Sequence, residues 1–437
     1  MKYWLGLLLL VMVLISCAKK EKIVSSEDIE ISVLELKKHV HQLASDEFEG
    51  RGAGYEGEKK AANYIAENFE NIGLQTLKSG NIDAGSFFQK FEYHTLESNN
   101  PWEVLSTQNV ISVLKGKVSP EEYIIIGGHH DGQGKHGQTN LGRNIEGILS
   151  DSIAASKDSI WNSAVDNAVS ISAIIEIGRI LKENNIALNR SIIFTTFSAE
   201  ESGLDGSTYF VNNPPVALNQ IKAMINLEKL VGDPEAEFLY VSYNTNPIFE
   251  QIRIKTDSLQ PITLKPFYPG LIADTDHYAF AQRKIPSITI GTGSQINIHT
   301  PLDHADNLDY DLLQKRVNYV LSYLIQLANS DATFNFTGDL SGLNGISGGP
   351  ATKAEKIERN FHGEVAFKIT TVVKDSKGHR AGMQPGDLVI AIDNQPLKFK
   401  KFYQGLEDVI GETEKGSVNL KVLRGDTALE ITLFLKD

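Results

Sequence analysis

The sequence predicts an α/β fold: a mostly parallel, doubly wound sheet flanked by helices, followed by a small β-rich domain. Three observations carry this expectation. The apolar, β-prone runs Tyr123 to Ile126, Ser191 to Phe197 and Ile221 to Leu227 lack the alternation of a half-exposed strand, and so read as strands buried on both faces. Helical apolar spacing fills the stretches between them, the strand–helix alternation that builds parallel sheets. Beyond residue 330 a Gly-, Ser-, Asn- and Thr-rich stretch gives way to short strands.

In chain order, Ser32 to Ser45 has helical spacing at Leu34, Leu36, Val40 and Leu43. A Gly-rich loop carrying Asp46, Glu47, Glu49 and Arg51 follows, and ion pairing is expected to pin it. Glu56 to Ile72 is an amphipathic helix, with Gly73 as its natural C-terminal stop. Strands are expected at Phe87 to Leu96 and Asn109 to Leu114, and a buried central strand closes on His129. Gln133 to Trp161 is long and polar and reads as a surface excursion near the site. A helix from Ala168 to Glu183, the strand Ser191 to Phe197, a helix from Ser207 to Asn212 and the strand Ile221 to Leu227 come next. Phe238 to Ser242 is a strand, Asn246 to Ser258 a helix, Pro286 to Ile290 a strand, and Leu308 to Ala328 the closing helix.

The 437 residues are 41% hydrophobic, enough for one large domain and a smaller one. A formal net charge of −13 with no basic patch excludes nucleic acid as a partner. One cysteine, Cys17, rules out an intrachain disulfide and a sulfur-based metal site. Met1-Lys2-Tyr3 is a short positive start, and Trp4 to Ile15 is an apolar run of signal-peptide length. It ends Leu14-Ile15-Ser16-Cys17, which resembles a bacterial lipoprotein box. That resemblance implies cleavage before Cys17, lipidation of its thiol and a membrane anchor. Ala18, with no acidic residue there, points to the outer membrane of the cell envelope. The expected organisation is a signal peptide (1–16), a flexible tether (17–30), a catalytic domain (31–330), a linker (331–358) and a β-rich domain (359–437).

Several chemistry-bearing residues stand at or near element ends: His129, Asp166, Glu200, Glu201, Glu228 and His299. In a doubly wound sheet those ends converge on one crevice. Taken singly, each has a plain structural reading: a solvated Glu–Glu pair, or a helix N-cap at Asp166. Together, two imidazoles and several carboxylates suit a pair of zinc-like dications. Asp131, two residues beyond His129, has the position of a carboxylate that orients a ligating imidazole.

The ordered pieces Ser45-Asp46-Glu47-Phe48-Glu49-Gly50-Arg51, Gly128-His129-His130-Asp131, Asp166-Asn167, Phe197-Ser198-Ala199-Glu200-Glu201-Ser202-Gly203-Leu204-Asp205-Gly206-Ser207, Ile225-Asn226-Leu227-Glu228 and His299-Thr300-Pro301-Leu302-Asp303 carry a closer resemblance. Residues 35 to 330 are similar to the co-catalytic zinc exopeptidases, which include bacterial leucyl aminopeptidase, aminopeptidase Y and glutamate-carboxypeptidase-like enzymes. The resemblance implies the zinc exopeptidase fold, two zinc ions and peptide substrates. It implies that His129 and Glu228 bind one metal, Glu201 and His299 the other, and Asp166 both. It further implies that Asp131 orients His129, that Glu200 is the general base with a low pKa beside two cations, and that the Asp166–Asn167 peptide is cis. Asp276 and His277 are expected near the substrate. The chain departs from the family in Glu228, where many relatives have Asp, and in Gly132, where several have His.

From Arg380-Ala381-Gly382-Met383-Gln384-Pro385-Gly386-Asp387 into Leu388 to Ile392, the C-terminal region resembles PDZ domains of bacterial proteases. That implies a groove for an extended peptide or protein C-terminus. Two other functions stand beside the aminopeptidase: an acyl transferase like the glutaminyl cyclases of similar fold, and a non-catalytic peptide-binding lipoprotein.

Overall fold

The computed structural model describes residues 30–77, 82–83, 85–95, 103–135, 158–268, 271, 274–293, 297–338, 346–351, 356–357, 359–363, 366–372, 376–397, 416–425 and 427–435. The signal peptide, Cys17, nearly all of the tether and residues 136–157 of the excursion lie outside the described residues. Among the described residues, no helix is long and apolar enough to cross a membrane.

Helices α1 (Val33–Leu43) and α2 (Glu56–Ile72) precede strands β1 (Phe88–Thr95), β2 (Glu103–Leu114) and β3 (Ser119–His129), then the short pair β4 (Gly134–Lys135) and β5 (Ile160–Trp161). There follow α3 (Val169–Glu183), β6 (Arg190–Phe197), α4 (Asp205–Asn212), β7 (Ile221–Glu228) and β8 (Phe238–Val241). Then come α5 (Ile248–Asp257), β9 (Lys265–Tyr268), α6 (His277–Gln282), β10 (Ser287–Thr292) and α7 (Tyr310–Ala328). Local chemistry sets several ends. Ser32 Oγ accepts from Glu35 N at 3.2 Å to start α1, and Gly73, at φ 81°, closes α2 in the left-handed conformation that glycine adopts freely.

The eight strands run in the order β1-β2-β6-β3-β7-β10-β8-β9. The middle four, β6-β3-β7-β10, are parallel. Antiparallel pairs flank them on both sides. From β3 the chain passes to β6 on one side, and from β7 it passes to β8 on the other, so a crevice opens between the C-terminal ends of β3 and β7. The side chains of β3 divide between two cores. Ile124 and Ile126 pack in a cluster with residues of α1, α2, α3, α5 and α7. Ile125 joins Phe210 of α4 and Phe280 of α6. Each such fully buried side chain contributes about 1.5–3 kcal/mol, and the two layers hold the parallel strand ends in fixed register.

The C-terminal sheet is built from β11 (Ile346–Pro350), β12 (Phe367–Val372), β13 (Leu388–Ile392), β14 (Gln395–Pro396), β15 (Ser417–Arg424) and β16 (Thr427–Phe434), with the short helix α8 (Lys377–Arg380). Its order is β11-β12-β13-β15-β16, with β14 on β13, and its pairings are antiparallel. The linker expected at 331–358 is corrected in part. Residues 346–350 form β11, because backbone pairing with β12 does not depend on apolar side chains.

Candidate metal centre

The site is assembled at the C-terminal ends of the parallel strands. His129 is the last residue of β3, Glu228 the last of β7, and Glu200 and Glu201 follow β6. Asp166 lies just before α3, whose N-cap is Ala168, so the aspartate is not the cap of that helix. His299 lies in the loop after β10. Ser163, Ala199, Lys229 and His299 all have left-handed φ between 50° and 58°. Backbone in this region costs non-glycine residues free energy and gathers at functional sites. Here it lies in four of the loops that deliver the donors.

The donors form two groups joined by one carboxylate. His129 Nε2 lies 3.0 Å from Asp166 Oδ1 and 3.2 Å from Glu228 Oε1. His299 Nε2 lies 3.0 Å from Asp166 Oδ2 and 3.2 Å from Glu201 Oε1. Ligands held ~2.0–2.1 Å from a tetrahedral zinc are roughly 3.3 Å apart, so both spacings fit donors around a common cation. The chemistry fits as well. Among the described residues, the buried Glu201 Oε1 has no hydrogen-bond partner. Buried carboxylates at this density require cations.

The electrostatics point the same way. Burial works to lower His129, but Glu200 and Glu228 outweigh it and raise the imidazole well above its ordinary value. Burial also opposes His299, which Glu201 and Asp166 push up to about 11. Burial works to raise Asp166, yet Lys229 and the two imidazoles hold it well below the usual carboxylate range. Glu200 Oε2 lies 3.9 Å from His129 Nε2. Among the protein's own charges, burial raises Glu200 well above its ordinary value; the His129 charge opposes this, and Glu228 and Glu201 add to it.

Three residues organise the donors. Asp131 Oδ1 lies 3.6 Å from His129 Nδ1. Its two carboxylate oxygens also accept from the backbone N–H of Glu200 at 3.2 Å and of Glu201 at 3.3 Å. Asp303, quoted in the sequence motif without a role, accepts from Val165 N at 2.8 Å and Asp166 N at 3.2 Å, fixing the loop that presents Asp166. Arg51 is fully buried and donates to the carbonyls of His130, Leu43, Asn162 and Ser163 at 2.6–2.9 Å. Of the ion pairing expected for its loop, Glu49 pairs with Lys135 at 3.0 Å, whereas the Arg51 guanidinium goes to backbone carbonyls and not to the loop's carboxylates. Asn167 Nδ2 donates to Leu227 O at 3.0 Å, and the Asp166–Asn167 peptide is cis.

His277, expected near the substrate, is a buried residue. Its Nε2 lies 2.8 Å from Ser242 Oγ, and its Nδ1 lies 2.7 and 2.9 Å from the hydroxyls of Thr275 and Thr289. Burial pushes the ring down to about 3, so it is neutral and fully engaged. Asp276 is also fully buried. Burial pushes it up to about 7, and it feels the charges of His129, Glu228 and Asp131. Lys229, the residue after Glu228, was not singled out by the sequence; a lysine beside an acidic donor has no distinguishing pattern.

Residues 109–324 match the model of Peptidase family M28, and residues 368–424 match a PDZ domain model. Endoplasmic reticulum metallopeptidase 1 of Homo sapiens is 33% identical over 182 residues, covering 40% of this chain and 20% of its own length. Aminopeptidase NAALADL1 of Rattus norvegicus is 31% identical over 136 residues, covering 30% of this chain and 14% of its own. The chain therefore spans at most about a fifth of the length of these curated relatives. Among solved structures, a zinc aminopeptidase from Bacillus subtilis superimposes with a TM-score of 0.52 at 15% identity, covering 71% of this chain and 99% of that one. Porphyromonas gingivalis glutaminyl cyclase gives 0.53 at 18% identity, covering 68% and 99%. The fold is that of the zinc aminopeptidases, with a PDZ domain after it. The matched family model is a peptidase family, and these two curated relatives are a metallopeptidase and an aminopeptidase.

Proposed function

We propose that this chain is a zinc-dependent exopeptidase that removes N-terminal residues from peptides, with two zinc ions per chain. The observation that carries the reading is the Asp166 carboxylate, which turns one oxygen to His129 and the other to His299 at 3.0 Å each. His129, Glu228 and Asp166 Oδ1 would hold one ion; His299, Glu201 and Asp166 Oδ2 the other. Bound zinc would supply Lewis acidity to the scissile carbonyl and to a water. The chain's own work is proton transfer and alignment. Glu200 takes the proton of the attacking water and delivers it to the departing amine. Its raised affinity for a proton among protein charges suits that role. Asp131 holds Glu200 and Glu201 by their backbone N–H groups, which keeps the base and the adjacent donor in one geometry.

The test is hydrolysis of aminoacyl chromogenic substrates with and without chelator, by the wild type and by Glu200→Gln. Turnover should vanish with chelator and return with zinc. Glu200→Gln should lose roughly 10²–10⁴-fold in kcat while still binding zinc. Cleavage that survives chelation would sink the reading. The glutaminyl cyclase reading stands second, on the shared fold. Complete donors at both positions favour the peptidase. One ion per chain together with a pyroglutamate product would reverse that order.

The chain is further proposed to be a lipid-anchored envelope protein of the bacterial outer membrane, tethered through Cys17. The support is the Leu14-Ile15-Ser16-Cys17 box. Labelled fatty acid should be incorporated by the wild type and not by Cys17→Ser, and the variant should leave the membrane fraction. The PDZ domain is proposed to take an extended peptide or a protein C-terminus.

A further inference from the structure

The residue after Glu228 is a lysine, and the fold turns it into the donor set. Lys229 has a left-handed φ of 50°. Its N–H donates to Asn167 Oδ1 at 3.0 Å, and its carbonyl accepts from Thr292 Oγ1 at 2.5 Å. The root of the side chain is thus fixed from both sides, and only 17% of the side chain is exposed. Its ammonium lies 3.0 Å from Glu228 Oε1 and 4.0 Å from Asp166 Oδ2. Glu228 Oε1 is the same atom that faces His129 Nε2 at 3.2 Å. The described ion pairs of His299 and Glu201 join them to each other and to Asp166, with no lysine or arginine among them.

A cation bonded to one donor oxygen weakens that donor and repels a dication placed beside it. The Asp166 oxygen nearest the ammonium, Oδ2, faces the His299 position, but at 4.0 Å against 3.0 Å for Glu228 Oε1 it is a full ångström farther away, so the larger effect falls on Glu228 and the His129 position. We propose that Lys229 makes the two metal positions unequal, so that the His299–Glu201–Asp166 position fills first and the His129–Glu228–Asp166 position binds the more weakly. The inference rests on the two-position reading above. It gives the enzyme a tight ion and an exchangeable one, with Lys229 setting the gap.

The test is zinc binding to the full chain, followed by calorimetry and chelator competition, with cobalt absorption spectra as a second readout. The wild type should show two unequal steps. Lys229→Met should tighten the weaker step roughly 10- to 100-fold and leave the stronger one in place. Lys229→Arg should keep the gap. Lys229→Gln is a second neutral variant should the methionine disturb folding. Two equal steps in the wild type, or a weaker step unmoved in both neutral variants, would overturn the role of Lys229 alone. One ion in the wild type and also in both neutral variants would overturn the two-position reading beneath it.

Discussion

At the scale of single residues, the centre is a set of protonatable donors whose charge is set by their neighbours. His299, pushed up to about 11, carries a proton at neutral pH when only protein charges surround it. A dication must displace that proton, because a ligating imidazole is neutral. The sign follows: lowering pH favours the protonated ring and weakens zinc binding, and raising pH strengthens it. Zinc uptake at pH 7 should therefore release protons. Calorimetric titrations in two buffers of different ionisation enthalpy give the number. Identical heats in both buffers would mean that no proton leaves, and that the imidazoles are already neutral in the apo protein.

At the scale of elements, the placement of Asp166 depends on segments far apart in the chain. Arg51 ties Leu43, His130, Asn162 and Ser163 together through their carbonyls, and Asn162–Ser163 leads directly into Asp166. Arg51→Met would leave three buried carbonyls unmatched and Ser163 O with only the Ala168 N–H at 3.4 Å. It should cost at least about 3 kcal/mol in urea denaturation and weaken zinc binding as well. A variant within about 1 kcal/mol of wild type would show that water replaces the guanidinium. The sequence revealed the strands here and not the clamp. Ile124, Ile125 and Ile126 sit in a continuous apolar run, which only a strand covered on both faces explains. Which donors cluster was readable too, because the expected ones, apart from His299 in the loop after β10, stand at or just beyond the ends of parallel strands or at the start of the helix between them. Arg51 and Asp303 were not readable in their roles, since both act on backbone groups that sequence does not distinguish. Strand β9 was missed because Lys265-Pro266-Phe267-Tyr268 is short, exposed in part and interrupted by proline. The burial of His277 and its three hydroxyl partners were not readable either, because a buried histidine has the same letter as an exposed one.

At the scale of the whole molecule, two separate cores make metal binding a local stabiliser. The apolar clusters of the eight-stranded sheet share no residue with those of the C-terminal sheet. Their unfolding can therefore be resolved as two transitions. The donors all belong to the first unit, so zinc adds its linkage free energy there, about 2.7 kcal/mol at a free concentration of 100 times Kd. For a domain of that size the corresponding shift is roughly 4 °C. In a calorimetric scan, the transition of larger enthalpy should rise with zinc and fall with chelator while the smaller one stays fixed. Joint movement of both would mean that the two sheets unfold as one unit. If neither moved, the donors gathered around Asp166 would hold no ion at all, and the peptidase reading would fail with them.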